Sequence, residues 1–171
     1  MKTKTITTLH HLLNDELSTL LCTEIRLTEL LPAWIDKTHN LILKNLLRDY
    51  QHHVKHHADN LKTYGLPETE GMYDLPERFT DYYLSEITSK IEDCSPEILD
   101  AFLLASIQTV NHIKISCYGT AATWAQLLEL QDISLLLHDA VINEKHTNER
   151  LGELARHDIN SKALAPFAIT Q

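Results

Sequence analysis

Residues 95–155 read SPEILDAFLLASIQTVNHIKISCYGTAATWAQLLELQDISLLLHDAVINEKHTNERLGELA, and this stretch decides the fold. Its large apolar residues return every three or four positions, the period of an amphipathic helix and not of a strand. Ser95 offers a hydroxyl to free backbone N–H groups and Pro96 suits the first helical position, so one helix opens there and runs to about Leu130. Asp132 is the expected N-cap of the next helix, ISLLLHDAVINEKHTNERLGELA. So short a link forces the two to lie antiparallel.

Two more periodic segments lie on the N-terminal side. The first runs from about Thr5 to Lys37, where Pro32 can at most kink the last turns. The second runs from about Asn40 to Tyr64 and stops at Gly65, with Pro67 just beyond. Between it and Ser95, GLPETEGMYDLPE is rich in turn residues and FTDYYLSEITSKI reads as a short amphipathic helix, together long enough to cross the length of a bundle. The expected fold is all-α. It is a single antiparallel four-helix bundle over residues 1–161, with a long crossover carrying a short extra helix and a C-terminal tail at 162–171.

Composition agrees with this reading. The 171 residues are 43% apolar and 23% charged, which suits one domain with its own core. Four glycines and five prolines are too few for the turns of an all-β fold. A formal net charge of −9, with no concentrated run of lysine or arginine, argues against nucleic acid and membrane surfaces as partners. The opening MKTKTITTLHHLL mixes threonine and histidine into its apolar stretch, unlike a signal-peptide core, and no run nears the roughly 20 apolar residues of a membrane span. Cys22, Cys94 and Cys117 form no CxxC pair and fit reduced thiols, so the expected location is the cytoplasm.

Chemistry enters with the core-facing stripes, written at alternating +4 and +3 steps. The first helix gives Leu13, Leu17, Leu20, Glu24, Leu27, Leu31 and Trp34; the second gives Leu43, Leu47, Tyr50, Val54, His57, Leu61 and Tyr64. The third gives Leu103, Ile107, Val110, Lys114, Cys117, Ala121, Trp124 and Leu128; the fourth gives Ile133, Leu137, Ala140, Glu144, Thr147, Leu151 and Leu154. Each stripe carries one ionisable break. Lys114 and Glu144 are about equally far from the turn that joins their helices, and Glu24 and His57 match to within about one turn, so all four belong at one level. Burying a lone charge costs several kcal/mol, so such groups must pair with each other or with a cation. His53, one turn before His57, is placed to join them.

The segment VNHIKISCYGTAATWA resembles the helix pattern Val-Glu-His-Tyr-Glu-Ile-Ala-x-Tyr-Gly-Thr of the YciE/YciF-like family, through Val110, His112, Ile115, Tyr118, Gly119 and Thr120. DELSTLLCTEIRLTELLP is similar to that family's first helix, with its glutamate at Glu24 and its Leu-Pro at Leu31 and Pro32, and NEKHTNERLGELA matches through Glu144, Lys145 and Thr147. The resemblance covers nearly the whole chain. It implies a ferritin-like bundle, associated with bacterial stress and of undefined function, whose interior level holds a di-iron or di-manganese site in the wider fold class. The chain departs from that pattern: Asn111 and Lys114 replace two glutamates, and His52 and His53, with Lys55 nearby, replace two more.

Two readings of the level follow. In one, Glu24, His57, Lys114 and Glu144 form a metal-free, charge-compensated network, with Asn111 and His112 beside it, in a non-catalytic protein. In the other, Glu24, His57, Glu144 and His53 hold iron, manganese or zinc, mononuclear or of di-iron type, with oxidase or metal-handling activity. The run HHVKHH also makes two i, i+4 histidine pairs, His52 with His56 and His53 with His57, with the first pair turned toward solvent. No GxSxG, phosphate loop or dinucleotide-binding glycine pattern is present, so an enzymatic case rests wholly on the bundle interior. Gly119, Thr120, Ala121 and Ala122 form a small-residue patch suited to core packing or to the face of a homodimer, the expected partner being a second copy.

Overall fold

The computed structural model describes residues 6–64 and 79–164. Thr8 opens α1 (Leu9–Lys37), its hydroxyl accepting the His11 N–H at 3.1 Å. The helix continues through Pro32 and ends at its C-cap Thr38. Asn40 opens α2 (Leu41–Thr63) by accepting the N–H groups of Ile42 and Leu43, each at 3.0 Å. The intervening loop is tied down as well: the N–H groups of His39 and Asn40 donate to the Asp100 carboxylate at 3.0 and 2.7 Å.

The crossover helix is α3 (Phe79–Asp93), which packs on α1 and on α4 (Pro96–Leu127). Ser95 does sit at the N-cap of α4, but its hydroxyl caps nothing; its carbonyl accepts from Ile98 and Leu99, and Pro96 at the first helical position leaves one fewer free N–H at that end. The next helix, α5 (Gln131–Leu154), begins earlier than expected. Leu130 is its flanking residue, and Asp132 lies within the first turn, where its charge favours the positive helix end without a capping bond. The link holds Glu129 at φ 60, with Leu130 N–H donating to Ala125 at 2.9 Å and Glu129 N–H to Gln126 at 3.0 Å. That pairing is a Schellman turn built without glycine. After α5 the chain continues through a wide π turn, Ala155–Ile159, into α6 (Asn160–Lys162).

The four long helices form an antiparallel ferritin-like bundle in which α1 neighbours α2 and α4, and α5 neighbours α4 and α2. The core divides into two apolar clusters. One joins Leu27, Leu31 and Trp34 of α1 with Leu43 and Leu47 of α2, Leu103 and Ile107 of α4, and Leu84, Ile87 and Ile91 of α3. The other joins Leu13, Leu17 and Leu20 with Leu61, Ala121, Ala125, Ile133 and Leu137. The candidate site lies between them. No helix among the described residues is long and apolar enough to cross a membrane. The Gly65 and Pro67 stop, the turn-rich stretch 65–77 and the tail from 165 onward lie outside the described residues.

Candidate functional site

One helical step places each ionisable side chain on its stripe. Glu24 follows Leu20 on α1, His57 follows Val54 on α2, Lys114 follows Val110 on α4 and Glu144 follows Ala140 on α5, and all four are at most 2% exposed. Apolar neighbours above and below exclude water, so every partner must come from within the bundle.

Lys114 is the hub. Its Nζ donates to Glu144 Oε1 at 2.6 Å and to Tyr50 Oη at 3.1 Å, and lies 3.0 Å from Glu24 Oε2, an ion-pair contact outside hydrogen-bond alignment. The ammonium also sits 4.9 Å from the centre of the Tyr50 ring. Tyr118 Oη donates to Glu24 Oε1 at 2.6 Å. His57 Nδ1 lies 3.4 Å from Glu24 Oε1 and 3.5 Å from Glu144 Oε1, bridging the two carboxylates electrostatically, while its Nε2 is 3.3 Å from Asn143 Nδ2. Asn111 Nδ2 donates to the Glu144 backbone carbonyl at 3.3 Å.

The charges balance when His57 is protonated: two carboxylates face an ammonium and an imidazolium. Burial pushes the Glu24 carboxyl up, but Lys114 and then His57 outweigh it and hold Glu24 below its ordinary value. For His57, burial acts to lower the pKa, yet Glu144 and Glu24 prevail and raise it above 6.5. Burial likewise opposes the charge on Lys114, and the same two carboxylates raise it well above its usual range. Burial and the nearby carboxylates keep Tyr50 and Tyr118 as neutral phenols.

Glu24, His57 and Glu144 bring ligand atoms within 4.8 Å of one another, a separation suited to one cation. The cation present there is the Lys114 ammonium. A divalent ion bound by the same oxygens would meet a fixed positive charge that is buried and has no solvent to retreat into, so the donor set does not fit a metal while Lys114 keeps this position.

A family model described as Domain of unknown function (DUF892) matches residues 8–164. The chain belongs to the DUF892 family. The protein YciF of Escherichia coli (strain K12) is 40% identical over 67 residues, which make up 39% of this chain and 40% of that protein. Two solved structures share the fold at 24% identity. YcfI of Rhodopseudomonas palustris, named as a candidate structural protein, superposes with a TM-score of 0.76 over 89% of this chain and 98% of its own. The Escherichia coli stress protein YciF superposes with a TM-score of 0.74 over 91% and 99%.

In this DUF892 chain the level gathers Glu24, His57, Lys114 and Glu144, the ionisable residues of the four stripes, with Asn111 from the neighbouring face of α4, but not His112 or His53. His112 is exposed, because one residue beyond Asn111 is a rotation of about 100° around the helix. His53 is half-buried with its Nδ1 shielded from solvent and unbonded, its ring stacked 6.4 Å from that of His57. The two tyrosines complete the network and are absent from the predicted set. Tyr50 stands on its stripe as a presumed apolar residue, and Tyr118 lies one position past the chosen stripe on α4, visible only as a motif residue. In the small-residue patch, Ala121 and Ala122 turn into the core, Thr120 is exposed, and open space adjoins Gly119.

Proposed function

We propose that this protein is a non-catalytic bundle whose interior level is held by a lysine-centred ion network instead of a metal. The single observation that carries the reading is the place of Lys114 Nζ, within 3.0 Å of both carboxylates that a metal would need. Such networks fix which helix faces meet and in what register, a use of buried polar groups in place of added stability. The stress-protein name of the Escherichia coli relative supports a role in stress physiology for this chain as well. The alternative, an iron or manganese oxidase, requires Lys114 to leave the site.

The test is metal analysis of tag-free protein loaded with ferrous iron or manganese, followed by exposure to air with an optical readout. The expected result is no Glu24-dependent metal and no oxidised-iron band. Stoichiometric iron or manganese that disappears in Glu24→Ala would overturn the reading. Lys114→Glu turns the level into three carboxylates and a histidine, and this variant is expected to gain the iron or manganese that the parent lacks.

A further inference from the structure

The histidines of α2 reach beyond the interior network. Between α2 and α5 runs a surface groove whose two pockets meet at Asn143. The larger, about 390 Å³, is lined by Asp49, His52, His53, Asn143, His146 and Arg150 along with Ile142. Asp49 and His53 share one face of α2 at i, i+4 spacing, and His146 and Arg150 do the same on α5. The Arg150 Nη1 to Asp49 Oδ2 contact of 3.0 Å shows that these two faces are one side-chain pair apart at this level.

We propose that this groove binds one divalent transition ion of the zinc class between Asp49 and His53 of α2 and His146 of α5. Two imidazoles and a carboxylate are a donor set suited to such ions. His53 is ready for the role. Its ring lines the groove, and its buried Nδ1 has no hydrogen-bond partner among the described residues. Asp49 and His146 are exposed. The ligand atoms are not yet gathered, since among the described residues only the interior trio lies within 4.8 Å, so the ion closes the site by drawing these side chains together.

Arg150 now holds Asp49, yet that contact differs from the one made by Lys114. Both partners are substantially exposed, at 41% and 55%, and such surface pairs contribute little, so the guanidinium can swing into water when an ion takes the carboxylate. Lys114 has no such exit. The proposed site shares no ligand with Glu24, His57 and Glu144, so it stands or falls separately from the reading of the interior.

The test is calorimetric titration of tag-free, full-length protein with zinc chloride, backed by the visible spectrum of the cobalt-substituted protein. One ion per chain is expected. His53→Ala and His146→Ala should each weaken binding by more than about tenfold, since even supporting partners of a metal site carry that much. Arg150→Ala removes the competitor for Asp49 and should tighten binding by up to about fivefold. His138→Ala, at an exposed position of α5 outside the groove, should change nothing, and helical circular dichroism should be retained throughout. Absence of stoichiometric zinc, affinity unchanged in both His53→Ala and His146→Ala, or an equal loss in His138→Ala would each overturn the proposal.

Discussion

Leu103 and Lys114 lie about three turns apart on the same helix, both at most 1% exposed, and they make opposite demands on their surroundings. Leu103 belongs to an apolar cluster, where any well-shaped neighbour serves and the gain grows with the area removed from water. Lys114 needs particular partners at particular distances, and each of those partners needs it in return. The clusters on either side supply the stability of the bundle; the level between them supplies its uniqueness. A rotated or shifted helix would still bury leucines, but it would leave a carboxylate or an ammonium alone in a dry interior.

The largest effect should come from removing the hub. Lys114→Met leaves Glu24 and Glu144 facing each other without their cation and should cost about 3–5 kcal/mol in urea unfolding. Leu103→Ala should cost roughly 2–5 kcal/mol through the cavity it leaves, and unlike the first loss it should not vary with pH between mild acid and mild base. The comparison breaks if all four members of the charge set are replaced together. Changing Glu24, His57, Lys114 and Glu144 to apolar residues of similar volume should leave the fold as stable or more stable, by up to about 4 kcal/mol, while broadening its amide spectrum if the network sets register.

Titration sharpens the same contrast. Glu24 titrates below its ordinary 4.5 in the folded chain, so its contribution is present above that pH and lost as the pH falls through the folded value. His57 titrates above 6.5, so its contribution is complete below that pH and lost as the pH rises through the folded value. Unfolding midpoints measured across pH should therefore peak between about 4.5 and 6.5, and His57→Gln should flatten the alkaline limb and make the acid limb shallower, since Glu24 then keeps Lys114 but loses the second group that lowers it. The smallest effect belongs to the surface: Arg150→Ala should shift metal-free thermal stability by no more than about 1 kcal/mol, because its partner Asp49 is half in water.

The sequence made the helices legible because leucine recurs on them with few interruptions, and it made the polar level legible because one ionisable residue breaks each apolar stripe. The stripes of α1 and α5 hold throughout, every named position being buried. On α4 the alternating +4 and +3 steps advance slightly more slowly than a real helix turns, so the chosen line drifts. It names half-buried Cys117 and Trp124 where the core uses Tyr118 and Ala125. Tyr118 is missed for that reason. Tyr50 is missed for another: its ring satisfies an apolar pattern while its hydroxyl accepts from Lys114, and pattern alone does not separate the two ends of the side chain. Ser95 holds the N-cap position of α4 and lacks only the side-chain bond, whereas the cap at Asp132 fails because several neighbouring residues can serve as a helix boundary and backbone geometry, which no residue type dictates, selects among them.

The wide turn at Ala155–Ile159 acts as a one-residue insertion inside a helix. Before it the buried line on α5 passes through Glu144, Thr147, Leu151 and Leu154; after it the line resumes at Ile159, one position later than an unbroken α-helix would place it. That extra residue turns the Asp158 carboxylate toward the Asn40 amide, 2.7 Å away, and so fastens the last described turns to the first loop of the bundle. Deleting a single residue before Asp158 would restore ordinary helix geometry with Ile159 still on the buried line, whereas straightening the turn with every residue kept would carry Asp158 to that line and detach the last turn from the loop.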